Sequence, residues 1–483
     1  MVTKKAPDFI KENAARFRLT MNVLEAQYEK LSTVLQRNYP LIGILLGSVL
    51  MCISLGPYSS WDSQLEFTAA SGVVKWGLPY VTFGETINMQ PLGFYVEAFF
   101  LKTLGTSYEI AVGVSTLFGV GCVFLLSKIG KVLYGRRTGL FAAALFALTP
   151  WQIIMSRVVL VDVQCLFLSL SFLLVGIQAM QKNSLRLMSL SGILFGFALL
   201  TKLFAVFMMI PLALFYIHSR PKNTGRMLAG IALFFLAAFL IQYVWYVPIS
   251  GRGLLSVFSH DDFGQFLPAG FEASPFYNLG FFTEALGIFF LSGFVFSVLF
   301  SVLQRKVFPK IVMSDMIFLV TIIAVIGFNA YLAVGKNMLV PYVNSIKYDY
   351  LTLPLFCLVA ASLAKKSSLL ADRRNMDVNH RRLIFYVAAF GLYLLLMSMI
   401  VNLLSLNMTA KYEWLEYRVA GGFSYSFDRL TPVLGANNGW SAQFLAFVLI
   451  QFSLLWALKD KLEPFFIRLE NPSSYTPTLK NST

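Results

Sequence analysis

Asp62 and Glu66 stand four residues apart in SSWDSQLEFTAASGVVKWGLPY (59–80), so on a helix both carboxylates leave one face a turn apart. Further along, Arg157 and Asp162 lie five apart in RVVLVDVQCLF, Lys202 interrupts ALLTKLFAVF, and Lys347 precedes Tyr348 in NSIKYDYLTLPLF. Lys and Arg can hold the charge of a phosphate while Tyr donates a hydrogen bond to it. A carboxylate opposite them can take the proton of an incoming hydroxyl. Each residue alone has a plainer reading: a snorkelling Arg, an Asp at a helix N-terminus, or an interfacial belt of Tyr and Lys. A spacing of five also leaves an Arg157–Asp162 salt bridge within one helix open. Together, acid in one segment and cations in three others fit an anionic, lipid-linked donor with a carboxylate set to activate an acceptor.

These residues punctuate a chain that is 57% hydrophobic and only 13% charged over 483 residues. Apolar runs of membrane-crossing length recur near 39–57, 108–127, 139–155, 158–180, 187–201, 203–217, 227–247, 279–302, 314–334, 349–364, 383–405 and 440–458, about twelve spans in all. The fold class is therefore an all-α polytopic membrane protein. Most of the 39 Lys and Arg fall in 1–38, 128–138, 181–186, 218–226, 303–313, 365–382 and 459–483, which places those segments and both termini in the cytoplasm. Loops 58–107, 248–278, 335–348 and 406–439 then face outward. The organisation reads as a cytoplasmic segment 1–38, a membrane domain 39–458 and a cytoplasmic tail 459–483.

The first outward loop has structure of its own. From Trp61 the apolar positions predict an interfacial helix stopped by Gly77 and Pro79, and PLGFYVEAFFLKTLG (91–105) predicts a second. Two such helices would roof a cavity in the bundle, and Pro150 breaks the helical run just before Arg157. The net charge of +15 sets orientation and does not indicate nucleic acid, because the basic residues sit between apolar runs. Cys52, Cys122, Cys165 and Cys357 all lie in apolar runs without paired spacing, so neither a disulfide framework nor a zinc ribbon is indicated. The first 38 residues lack the apolar core of a cleavable signal peptide, and no stretch outside the spans is long enough for a soluble domain.

From residue 58 to 356 the order of Trp61-Asp62, Gln90-Pro91-Leu92, Arg157 with Asp162, Thr201-Lys202, and Lys347-Tyr348 with Pro354 resembles the glycosyltransferase-C superfamily. The resemblance is to the branch of dolichyl-phosphate-mannose protein mannosyltransferases and lipid A aminoarabinose transferases. Two positions depart from that pattern. Asp62 is followed by Ser63 instead of a second acid, and the Pro-Pro-Leu motif is reduced to Gln-Pro-Leu, leaving neutral Gln90 where some relatives carry His or Lys.

The resemblance implies an inverting transfer of a sugar from a polyprenyl or dolichyl monophosphate to a hydroxyl on the outer or luminal face, the acceptor being a protein, a glycan or a lipid. On that reading Asp62 is the general base, and Lys202, Lys347, Arg157 and Tyr348 bind the donor phosphate. Glu66, Asp162 and Gln90 orient groups or meet sugar hydroxyls. The resemblance fixes no cofactor and leaves room for a divalent metal between Asp62 and a phosphate oxygen, although His218, His260 and His380 form no ligand cluster. The lack of a large extra-membrane module favours a prokaryotic plasma membrane over the endoplasmic reticulum. A secondary transporter or lipid flippase is the rival, and it would show paired, Gly- or Pro-interrupted spans in two matching halves.

Overall fold

A computed structural model describes residues 38–54, 61–82, 85–86, 90–219, 224–249, 286–303, 309–334, 350–371 and 390–400, with a few single positions besides. Residues 1–37, most of the loops 248–278, 335–348 and 406–439, most of the span expected at 440–458 and the tail 459–483 lie outside the described residues. Lys347 and Tyr348 are among those outside.

Helix α1 (Asn38–Ser54) enters the bundle. It is followed by α2 (Trp61–Trp76), a two-stranded antiparallel ribbon of β1 (Tyr80–Thr82) and β2 (Glu85–Thr86), and α3 (Leu92–Leu104). Then come α4 (Tyr108–Leu133), α5 (Arg136–Ala147), α6 (Pro150–Met155), α7 (Val161–Lys182) and α8 (Leu185–Thr201). A 3-10 turn (Leu203–Met208) leads into α9 (Met209–Ser219), and α10 (Thr224–Val244) ends in a π-helical turn (Trp245–Ile249). The remaining described helices are α11 (Ile288–Leu303), α12 (Pro309–Val334), α13 (Leu353–Ala371) and α14 (Phe390–Ile400).

Four stretches, Tyr108–Leu133, Val161–Lys182, Leu228–Pro248 and Pro309–Phe328, are each long and apolar enough to cross a bilayer. Five shorter apolar helices stand among the described residues, so the chain is a polytopic, all-α membrane protein. Position in the bundle follows from how much of each helix is covered. The apolar window of α7 is 72% buried, which makes it a central helix, whereas that of α10 is 22% buried and turns Leu228, Phe235, Phe239 and Tyr243 outward, as a lipid-facing helix does. Residues 351–363 are buried on every side, and α13 packs against Ala-rich α5, where Ala142, Ala143 and Ala144 allow close approach.

The run expected as one span over 139–155 is two helices. Pro150 has no N–H to continue α5 but suits the first position of α6, so the chain breaks at Thr149 and restarts. A second correction concerns Lys366, expected in a polar cytoplasmic segment. Helix α13 runs on to Ala371, and Lys366 is fully buried. Its Nζ donates to Asp315 Oδ2 at 2.8 Å, to Ser301 Oγ at 2.6 Å and to the Ser297 carbonyl at 3.1 Å. Asp315 also accepts from Ser301 Oγ, Ser362 Oγ and Tyr134 OH. Burial of this pair is tolerated because nearly every donor and acceptor is matched.

At the other end of the bundle, α2 and α3 pack on each other and on the starts of α4 and α7. They close a small core of their own, Ala69, Ala70, Phe94, Leu101, Ala111, Val112, Val159 and Val161, distinct from the main core. Helix α2 stops where the sequence predicts, at Gly77, whose φ of +77° lies in the region that favours glycine.

Candidate active site

Asp62 lies in the first turn of α2, where a negative charge suits the helix dipole, and its side chain is partly exposed. The helix is pinned to the start of α4 by Tyr108, which donates to Ser63 Oγ at 2.8 Å and sets its ring edge-on to Phe67 at 5.5 Å. One turn after Asp62, Glu66 points inward and is only 3% exposed. Its Oε2 accepts the Val161 backbone N–H at 2.8 Å. Leu160, the residue before α7, offers no side-chain cap, so Glu66 caps α7 from a neighbouring helix. The shared face predicted for Asp62 and Glu66 thus divides in use: one acid stays accessible and the other is committed to α7.

The next residue after Val161 is Asp162, and its Oδ1 accepts from Lys202 Nζ at 2.9 Å with both side chains buried. Lys202 ends α8 in an extended conformation, φ −163° and ψ 134°, which turns its ammonium from the helix toward the start of α7. The sequence left an Arg157–Asp162 bridge within one helix open. The structure differs: Arg157 sits in the turn between α6 and α7, buried at 2% exposure, and the partner of Asp162 is Lys202, forty residues on. Gln90 is buried just before Pro91 and α3, and among the described residues its amide atoms make no hydrogen bond.

Glu97 and Gln152, which residue patterns did not single out, join this region, and Tyr350 lies against Gln152. Glu97 of α3 is fully buried and accepts from Gln164 Nε2 at 3.1 Å. Gln152 of α6 donates to the Gly119 carbonyl and to Ser156 Oγ, both at 3.0 Å, and accepts from Tyr350 OH at 2.5 Å. Tyr350, two residues after Tyr348, is buried against α6. For Glu97 a signal was present. Phe94, Glu97, Ala98 and Leu101 share one helical face, and an acid in that apolar stripe faces the core. Gly93 lets α3 approach α7 there, since a Cβ on it would lie 2.3 Å from Val161 Cγ1.

The starts of α2 and α7, the end of α8 and the inward face of α3 therefore converge. Partly exposed Asp62 stands one turn from Glu66, whose link to Val161 adjoins the Asp162–Lys202 pair at the start of α7. Such an arrangement can take a proton at Asp62 and present an oriented ammonium at Lys202. Among the described residues no three His, Cys, Asp or Glu side chains come together as a metal ligand set.

The sequence profile of the dolichyl-phosphate-mannose-protein mannosyltransferase family matches residues 88–245, the stretch that holds Gln90, Glu97, Arg157, Asp162 and Lys202. YycA of Bacillus subtilis (strain 168), named as a candidate mannosyltransferase, is 28% identical over 153 residues. That match covers 31% of this chain and 22% of YycA, so the chain spans about a fifth of the length of this curated relative. Among solved structures, ArnT from Cupriavidus metallidurans bound to undecaprenyl phosphate aligns with a TM-score of 0.50 at 14% identity, over 92% of this chain and 81% of ArnT. The oligosaccharyltransferase of Archaeoglobus fulgidus in its apo form aligns with a TM-score of 0.52 at 13% identity, over 76% of this chain and 56% of that one. Identities this low speak for the path of the chain and not for its substrates. In the path of its chain this protein is thus similar to ArnT and to the oligosaccharyltransferase, and about a third of its length, residues 88–245, matches the mannosyltransferase profile.

Proposed function

We propose that this protein is a membrane glycosyltransferase that moves a sugar, with inversion, from a polyprenyl or dolichyl monophosphate to an acceptor hydroxyl on the outer or luminal face. The observation that carries this reading is the Asp162–Lys202 pair beside the Asp62 helix. A buried ammonium aimed by one carboxylate, and a second, partly exposed carboxylate on the helix that Glu66 ties to the same end of α7, are the two charges that a displacement at a sugar phosphate calls for. The matched mannosyltransferase profile and the likeness to ArnT with undecaprenyl phosphate bound support the choice of donor class.

The acceptor oxygen attacks the anomeric carbon from the face opposite the phosphate, and the bond from that carbon to the phosphate oxygen breaks. Its electron pair leaves with the polyprenyl phosphate. Asp62 takes the acceptor proton as the new bond forms, a contribution of roughly 10²–10⁴ in rate for a well-placed base. The leaving phosphate gains negative charge, and cations already in place stabilise it without further reorganisation. Lys202 has three N–H donors, one of which goes to Asp162 Oδ1. Lys202, with Arg157, Lys347 and Tyr348, is assigned to the phosphate, and Asp162 and Glu66 to orienting these groups. Gln90, buried and with its amide uncommitted among the described residues, is assigned to sugar hydroxyls. The site faces outward if the Lys and Arg distribution sets orientation, and the bacterial relatives favour a plasma membrane.

The test is transfer of sugar from defined polyprenyl-phosphate donors by the purified protein in liposomes, with Asp62→Asn beside wild type. The substitution is expected to lower turnover by about two to four orders of magnitude while leaving the fold intact. Full activity of Asp62→Asn would remove Asp62 as base. Transport of the lipid-linked sugar without transfer would favour the flippase reading instead.

A further inference from the structure

Glu66 and Glu97 approach the first turn of α7 from two different helices. Glu66 Oε2 takes the Val161 N–H, and Glu97 Oε1 takes an N–H of the Gln164 side chain. Their exposures are 3% and 0%, within walls formed by Ala69, Ala70, Phe94, Val159 and Val161. Among the described residues, Glu97 Oε2 has no hydrogen-bond partner and no Lys or Arg forms an ion pair with Glu97. Two ionised carboxylates cannot share such a setting cheaply, because each lacks water and repels the other. Glu66 has the better claim to the charge, since it accepts a backbone N–H at the positive end of a helix. Burial, and then the Glu66 charge beside it, push the Glu97 carboxyl well above the ordinary carboxylate range, with the Gln164 amide pulling the other way.

We propose that Glu66 and Glu97 act as a carboxylate and carboxylic-acid pair, with the proton on Glu97 Oε2, that positions the first turn of α7 and so keeps the Asp62 helix and the Asp162–Lys202 pair in one register. Both are positioning residues. Beyond Glu66, the charged and titratable groups at this end of the elements packed around Glu97 include Asp62 and Lys75 of α2, Tyr108 and Glu109 of α4, Arg157 before α7, Asp162 and Cys165 of α7 and Lys202 at the end of α8. The link to turnover rests on the transfer reading above, but the protonation of Glu97 does not.

The pH dependence has a definite sign. Glu97 keeps its proton to higher pH in the folded chain than in the unfolded one, so the folded state binds more protons above the ordinary Glu value of about 4.3. Stability from this group therefore falls as pH rises, until the folded carboxyl has also ionised. Alkaline pH should place two like charges behind α7 and loosen α2 from it.

The experiment is an infrared pH titration of the full chain in nanodiscs, run on wild type, Glu97→Gln and Glu66→Gln. Wild type should show a protonated-carboxyl C=O band at neutral pH that disappears on alkaline titration, and Glu97→Gln should lack it. Glu66→Gln removes the neighbouring charge and should move the loss of the band to lower pH. In thermal unfolding, the midpoint of wild type should fall relative to Glu97→Gln as pH rises. In the transfer assay, Glu97→Gln should keep neutral-pH turnover within about threefold and lose the alkaline fall, because Gln is uncharged like the acid it replaces. A band unchanged by Glu97→Gln, or unmoved by Glu66→Gln, overturns the protonated Glu97 beside a charged Glu66 even in a protein that transfers sugar. A folded Glu97→Gln that loses about a hundredfold or more in turnover at every pH would show that Glu97 works as an anion, and would also overturn it. The infrared result holds whether or not the transfer reading does.

Discussion

Lys202 and Asp162 leave water together, and what each contributes can be separated. If the Lys202 ammonium meets the donor phosphate and Asp162 only aims it, the two substitutions are unequal. Lys202→Gln should lower kcat/KM by about a hundredfold, close to 2.7 kcal/mol of lost transition-state stabilisation, and Asp162→Asn by less. The double variant should be no worse than Lys202→Gln, since an aiming group has nothing left to aim. Additive losses, measured as kcat/KM with a polyprenyl-phosphate donor, would instead give Asp162 a contact of its own with the substrate. At this scale the sequence was informative in part. An ionised residue inside an apolar run stands out by itself, so Lys202, Asp162 and Arg157 were all visible. Their pairing was not, because forty residues and two helix ends separate Lys202 from Asp162, and nothing in residue type selects one partner over a nearer Arg157.

Whole elements were legible where a local signal marks them. Gly77 closes α2, Pro150 opens α6, and the long apolar runs give α4, α7 and α12. Helix faces were harder, because a buried helix such as α13 is apolar all round and its pattern does not say where it ends. That is why Lys366 read as the start of a polar loop when it lies within α13, bonded to Asp315 of α12. The pair ties α12 to α13, and through Ser297, Ser301 and Tyr134 it also engages α11 and α4. Removing only the cation leaves an uncompensated buried carboxylate. Lys366→Met should therefore cost about 3–5 kcal/mol, whereas the double change Asp315→Leu with Lys366→Met should recover most of that loss. Denaturant unfolding in detergent measures both. A double variant as weak as the single would mean that the polar network itself, and not merely charge balance, holds these four helices.

The molecule as a whole has two unlike ends, and α7 joins them. Its 22 residues rise about 33 Å, close to the thickness of a bilayer core, so Asp162 at its start and Lys182 at its end belong to opposite membrane faces. The start carries the candidate site under the roof of α2 and α3, with Lys75 and Lys102 exposed on that roof. The far end carries exposed Lys182 and Arg186. Which face is outward was inferred from the distribution of Lys and Arg, a rule about how the chain inserts and not about any contact within the fold. A labelling experiment decides it with little background, because the four native cysteines are buried. Single thiols introduced as Lys75→Cys or Lys102→Cys should react with a membrane-impermeant maleimide on intact cells, and Lys182→Cys should react only after permeabilisation. The opposite pattern would put Asp62 on the cytoplasmic face, where the acceptor would have to be reached from inside, and the outward-facing half of the proposal would be lost while its chemistry could stand.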